Sequence, residues 1–401
     1  MMLRRTGRAM ILAFVAGGMV GAVSCGGKGD SPAGVVTGAP AGLANCQGNA
    51  VLTRTPVALS ALSDIVPLGN LNPPGHVFPT DHIYFYTPTG SGSSGASGAS
   101  GATGVADVVS PGNITVVQVG QQTQSGGGQP TSVDYLMSFF PCADVLFYFY
   151  HLSTLSPDLL AQVGSFAGGC NAPYVIGSIT YQQCYKTVSI RLSAGAPLGT
   201  MGGPGRGGFD MGGYDRRTAT LGYVNPSRSI GGSGEFAHNK TICPLDYFTG
   251  DVAPSMRAML GGRGMRRMMG PVCGEVMQDR AGTAQGRWFS GSAEQEEYHL
   301  GLVHDNIDPT LGAFSVGTMV PTLPVGVYTF TPVATGRMNA DFSRVTPDGN
   351  VYCYQATGPS AQRVYVKLTD ASTLMIGAVA GASCGDPSGW SAALAATQFK
   401  R

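Results

Sequence analysis

The chain has 401 residues, with 24 basic and 23 acidic side chains and a formal charge of +1. Charged residues make up 12% of it, under the roughly 25% usual for soluble domains, so no basic face for nucleic acid is expected. Its 61 glycines follow no three-residue period, which excludes a collagen-like rod, and the length allows two or three domains with sizeable cores.

The first segment reads as an export leader. Arg4, Arg5 and Arg8 precede an apolar run from Met10 to Val23, too short for a bilayer span of about 20 residues. Ala22-Val23-Ser24-Cys25 follows and resembles a bacterial lipobox, with Ala where Leu is preferred. The resemblance implies removal of residues 1–24, lipidation of Cys25 and a lipid anchor in the bacterial cell envelope, at the outer membrane or cell surface. The alternative is an ordinary cleaved signal. Loss of the leader takes the formal charge from +1 to −2. Residues 25–55 are expected to form a flexible tether, since 26–44 are mostly Gly, Ala, Ser, Pro and Val.

Beyond Cys25 there are eight cysteines: Cys46, Cys142, Cys170, Cys184, Cys243, Cys273, Cys353 and Cys384. An even count in an exported chain points to disulfides. The absence of Cys-x-x-Cys argues against thiolate zinc ribbons, thioredoxin-like redox motifs and covalent haem. Proximity in the sequence suggests pairing Cys170 with Cys184, Cys243 with Cys273, and Cys353 with Cys384.

Short segments rich in β-branched and aromatic residues predict a mainly β chain. In order they are Ile83 to Tyr86, Ile114 to Val119, Val145 to Tyr150, Tyr174 to Thr180, Thr187 to Leu192, Tyr328 to Thr331, Val351 to Tyr354 and Val364 to Leu368. A Gly-Ser-Ala run from Pro88 to Gly104 reads as a loop insertion. Helical periodicity is confined to Pro157–Val163 and Ser391–Lys400. Residues 251–270 read as a Gly/Met/Arg-rich linker. Met256, Met259, Met265, Met268 and Met269 could hold copper(I) through thioethers, against the blander reading of a surface loop.

Four segments carry a resemblance. Asn72-Pro73-Pro74-Gly75-His76-Val77-Phe78-Pro79-Thr80-Asp81-His82, Val108 to Ile114, Tyr148-Phe149-Tyr150-His151-Leu152-Ser153, and Ser193 to Gly202 occur in this order. Together they make residues 56–250 similar to lysostaphin-type zinc metallopeptidases, which cleave peptidoglycan cross-links. The resemblance implies a β-rich module of barrel-sandwich type and one zinc, with three protein ligands and an open position for water. The family takes its ligands from a His with an Asp four residues on and from a His-x-His strand. Here Thr80 follows His76 at that spacing and Tyr86 follows His82, while Gly207 to Tyr214 contains no His. Only His151 carries over directly, as a residue that assists catalysis.

His76, Asp81, His82 and Asp210, with His151, could still converge on a divalent ion. The bland alternative makes His82 and His151 hydrogen-bonded residues of a relict cleft, with Asp81 holding a turn. His238 reads as a surface-loop residue.

Residues 271–401 read as a smaller β-barrel or sandwich domain. Gly286-Arg287-Trp288 resembles the start of lipocalins, and Thr346 to Asn350 is a turn. His299, His304, Asp305 and Asp308 could bind metal, although Asx-turns explain the acidic positions more simply. No Gly-x-Ser-x-Gly elbow, Walker loop or dinucleotide motif is present. The leading expectation is a non-catalytic lipoprotein that binds peptidoglycan or an envelope protein through a relict peptidase groove, with no cofactor. The alternatives are a zinc endopeptidase with a rearranged site and a structural surface lipoprotein.

Overall fold

A computed structural model describes residues 36, 38–88, 104–203, 208–228, 234–394 and 397–401. The expected leader, Cys25 and nearly all of the Gly-Ser-Ala insertion lie outside the described residues. The chain is mainly β, as its short β-branched and aromatic segments predict, and among the described residues its strands form two large antiparallel sheets and a small two-stranded one.

The first sheet contains β1 (Asp64–Val66), β2 (His82–Tyr86), β3 (Val105–Val109), β4 (Ile114–Gly126), β5 (Gln129–Cys142), β6 (Val145–Leu155), β7 (Tyr174–Ile176), β8 (Ile179–Leu192), β9 (Pro197–Gly202) and β10 (Phe209–Asp215). Its main path runs β1-β2-β10-β6-β5-β4-β8-β7, with β9 joining β3 to β6. The expected strand over Tyr174 to Thr180 is split into two by a turn at Gly177, whose φ of 59° suits glycine. Helix α1 (Pro157–Val163) matches its expected bounds. Ser156 caps it by accepting from the Leu159 N–H at 3.3 Å, and Pro157 and Asp158 suit its first turn.

Strand alternation gives this sheet two different faces. Ile83, Phe85, Phe147, Phe149, Phe209 and Met211 fall on one face and fill the main core. On the other face Tyr148, Tyr150 and Tyr214 join a smaller cluster with Leu146 and Phe236. Both faces of β6 and β10 are covered, so nearly every residue of these strands is buried.

Two expected boundaries are corrected. Leu52 is fully buried and bridges to Phe248, so the tether does not extend to residue 55. Residues 251–270 are not a linker: helix α2 (Ala253–Arg257) and the hairpin of β11 (Gly261–Gly262) and β12 (Met265–Arg266) pack onto the first module. Met256 and Leu260 lie in its core, while Met265, Met268 and Met269 are exposed. Glycine content signalled a loop, but the buried Met256 and Leu260 fix the segment in place.

The second sheet runs in chain order through β13 (Gly286–Trp288), β14 (Leu300–His304), β15 (Gly312–Val316), β16 (Gly326–Phe330), β17 (Tyr352–Thr357), β18 (Ala361–Asp370), β19 (Thr373–Ala380) and β20 (Thr397–Lys400). Phe289, just after β13, exchanges backbone hydrogen bonds with Lys400 at 2.8 and 2.9 Å, so the sheet is a nearly closed barrel. Trp288, Phe314, Phe330, Phe342 and Tyr354 fill it. The expected helix over Ser391–Lys400 is reduced to α3 (Trp390–Ala393), and Thr397–Lys400 forms β20. Barrel closure and burial of Phe399 override the helical periodicity.

The modules share apolar clusters, including Val77 and Phe78 with Phe289, and Leu71 with Val303 and Ala313. The cysteines pair as Cys170–Cys184, Cys243–Cys273 and Cys353–Cys384, as proximity suggested, with Cys46–Cys142 as the fourth pair. The last pair spans 96 residues and ties the segment before Leu52 to the end of β5. Replacing both Cys46 and Cys142 with Ala should lower unfolding stability by about 2–5 kcal/mol, read from urea melts without reductant.

Candidate functional site

The second face of the first sheet carries a polar cluster that follows from strand register. His82 and Tyr84 of β2 alternate with core-facing Ile83 and Phe85, and Asp210, Gly212 and Tyr214 of β10 alternate with Phe209 and Met211. Gly212 stands opposite both His82 and Tyr148, and Asp210 stands opposite Tyr84 and Tyr150. Tyr148 lies over Gly212 so closely that a Cβ there would run into its ring. The missing side chain lets the Tyr148 hydroxyl reach across β10 to Asp81.

Asp81 is the hub of the cluster. Oδ1 accepts from the Tyr148 hydroxyl at 2.8 Å and from His82 Nδ1 at 3.0 Å. Oδ2 accepts from the Tyr214 hydroxyl at 2.6 Å and from His238 Nδ1 at 3.1 Å. Burial opposes ionisation of this carboxyl, but hydrogen bonds and charge from His238 and His82 outweigh it and hold Asp81 well below its ordinary value. Burial and the Asp81 charge push the Tyr148 and Tyr214 hydroxyls well up, so both remain donors. His82 is engaged at its other nitrogen too: Nε2 lies 2.8 Å from the Tyr84 hydroxyl.

From this hub the polar groups continue outward. His82 Nε2 and His151 Nε2 each lie 3.5 Å from Asp210 Oδ2, and His151 Nδ1 donates to Asp134 Oδ2 at 2.7 Å. The sequence of groups is Asp134, His151, Asp210, His82, Asp81, His238, with carboxylate and imidazole alternating. The His82 and Asp210 side chains are 2% and 0% exposed, whereas His151 is 25% exposed. Solvent therefore meets the relay at His151. This residue has φ of 63°, a left-handed conformation that a non-glycine residue adopts at some cost.

The expected residues meet only in part. Asp210, His82 and His151 come together. Asp81 lies on the Nδ1 side of His82, away from Asp210, and does more than hold a turn. His76 sits in a turn paired with Asn72 and sets its ring edge-on to His82, with centroids 5.5 Å apart. His238 is corrected from a surface residue to a buried one that donates to Asp81 and stacks on Tyr223. The second-half histidines stay apart: His299 Nδ1 accepts from the Ser290 N–H at 3.3 Å, and His304 Nε2 pairs with Asp341 at 2.8 Å. Asp305 and Asp308 accept backbone N–H groups two or three residues on, as Asx-turns do.

Sequence reasoning missed Tyr148, Tyr214 and Asp134, whose roles depend on register across the sheet. It also missed Glu296, which the second module supplies. Glu296 Oε1 accepts from the Phe78 N–H at 2.5 Å, and the neighbouring Glu297 accepts from the Gly177 N–H at 3.0 Å. Burial raises Glu296 to about 7 although His76, the Phe78 N–H and Arg287 favour its charged form.

A zinc ion needs donor atoms that can turn toward one point. Asp81 already accepts four hydrogen bonds and His82 is bonded at both ring nitrogens. As arranged, the four expected ligands do not fit zinc, and no group of three or more His, Cys, Asp or Glu among the described residues is placed to hold a metal.

Two substitutions test the electrostatics. Because the folded-state value of Asp81 is depressed, its contribution is present above the unfolded carboxylate value near 4 and is lost as the pH falls through the folded value. Asp81→Asn should therefore destabilise the protein at pH 7 by about 3–5 kcal/mol and flatten the acid limb of its pH–stability curve. Glu296 has the opposite sign. Its folded value is raised, so its contribution is complete below about 4.5 and fades as the pH rises through about 7. Between pH 5 and 8, urea melts should show wild type losing stability relative to Glu296→Gln, by a few kcal/mol at most (one pKa unit being about 1.4 kcal/mol).

No family model, no curated protein and no solved structure matches this chain.

Proposed function

We propose that the chain is a non-catalytic cell-envelope lipoprotein that binds peptidoglycan or an envelope partner through the groove at His151. The carrying observation is the commitment of Asp81 and His82 to internal hydrogen bonds. Donors spent this way stiffen a groove and leave no ready ligand set for a hydrolytic metal. The lysostaphin-type resemblance supports the location of the groove, since its four segments fall on the loop before β2, the turn before β4, the end of β6, and β9. Three of these elements adjoin the relay: Asp81 ends the loop before β2, His151 lies in β6, and β6 is hydrogen-bonded to both β9 and β10. Envelope location rests on the leader and lipobox at Cys25, with four disulfides suiting an oxidising compartment. No helix among the described residues is long and apolar enough to cross a membrane.

The second reading is a metal-dependent peptidoglycan endopeptidase with a rearranged zinc site. One observation favours it: the Nε2 atoms of His82 and His151 approach the same oxygen of Asp210 at 3.5 Å. A metal there would have to displace the Tyr84 hydroxyl from His82.

Sedimentation with purified sacculi tests the binding role. We expect retention of the wild-type chain and weaker retention of His151→Ala, with no muropeptides released in the presence of zinc. Passage of wild type into the supernatant would remove peptidoglycan as the ligand. One zinc per chain by metal analysis, lost in His82→Ala, together with released muropeptides, would replace this reading with the second.

A further inference from the structure

We propose that the junction of the two modules binds a carboxylate group on the Nε/Nη2 edge of Arg287. The site lies apart from the His151 groove, and the inference stands whether or not that groove takes peptidoglycan.

Arg287 belongs to β13 and is 3% exposed. Among the described residues its Nε and Nη2 have no hydrogen-bond partner. These two nitrogens form one edge of the guanidinium and point the same way, the geometry that grips a carboxylate in its own plane. Arg217 uses this edge within the same chain, with Nε 3.0 and 3.1 Å and Nη2 2.7 Å from the oxygens of Asp215. Arg287 has no such partner. Asp279 comes closest, 3.9 Å from Nε, and backbone N–H groups hold it there: Oδ1 accepts from Arg287 at 2.9 Å and Oδ2 from Val224 at 3.1 Å.

The surroundings favour a flat anion. The guanidinium carbon lies 3.6 Å from the Tyr223 ring centroid and 5.6 Å from that of Phe78, so aromatic rings line its faces and a ligand would enter in its plane. The Tyr223 hydroxyl is buried and likewise without a hydrogen-bond partner among the described residues. Several cations lie nearby. Burial, with Arg228 and Arg287, lowers His299 to about 4, and burial lowers Arg401 to about 10, with Asp279 opposing the shift and Arg287 adding to it. A buried guanidinium with an unfilled edge is costly, and a carboxylate placed on it would supply the hydrogen bonds that Asp279, at 3.9 Å, does not.

Acetate is the probe. The intact protein would be titrated with sodium acetate replacing chloride at constant ionic strength, following its arginine Nε–Hε NMR signals and its melting temperature. One Nε–Hε signal should shift saturably, and the melting temperature should rise with it below about 100 mM acetate. Arg287→Lys keeps the charge but lacks the paired edge, so its affinity should fall by about tenfold or more. Tyr223→Phe, which removes one hydroxyl, should weaken binding by a smaller factor and serves as the variant if Arg287→Lys does not fold. No saturable arginine signal in wild type, or an undiminished response in both variants, would overturn the proposal and leave a bridging water or an adventitious ion only. Inorganic phosphate binding more tightly than acetate would also overturn the carboxylate assignment.

Discussion

The polar face of the first module depends on the four hydrogen bonds that converge on Asp81. A carboxylate with this little exposure is unfavourable unless donors surround it. Here the donors come from β2, β6, β10 and the segment around His238, so satisfying one charge fixes four parts of the chain relative to each other. Gly212 is the steric condition for that arrangement, because the Tyr148 ring occupies the space its side chain would need. Strand β10 thus contributes through Gly212, which makes room for the Tyr148 ring, and through Asp210, which lies beside His82 and His151.

The two modules are tied by the same physics at a second place. The loop that carries His76 and Asp81 also carries Phe78, whose N–H is held by Glu296 and whose ring packs on Phe289 and stacks on His299. The residues facing the relay are thus positioned partly by the barrel. Arg287, Tyr223 and His238 form a continuous stack from the barrel back to Asp81.

Short-range pattern in the sequence carries much of the local structure. Strands with aromatic and β-branched alternation, helix α1 with its Ser-Pro-Asp start, and three of the four disulfides follow from short-range pattern. What short-range pattern leaves open or gets wrong lies where distant contacts decide. Cys46 and Cys142 are far apart in sequence, β20 is a strand because it closes a barrel, and His238 is buried because Asp81 recruits it. His82, Asp210 and His151 were legible as polar residues in or beside apolar strands. Their mutual geometry was not, since it depends on a register that places Asp210 opposite Tyr84 and Tyr150.

Closure of the barrel has a kinetic side. Its first strand ends beside Phe289 and its last ends at Lys400, so the closing hydrogen bonds join residues separated by more than a hundred positions. Arg401 adds bonds to the carbonyls of Arg280, Thr283 and Gln285 and lies over Trp288. These contacts cannot form on a chain that is still emerging short of residue 397. The second module must therefore stay open-edged until its last segment arrives, and it is in that interval that the exposed edges of β13 and β19 would be vulnerable to pairing with other chains.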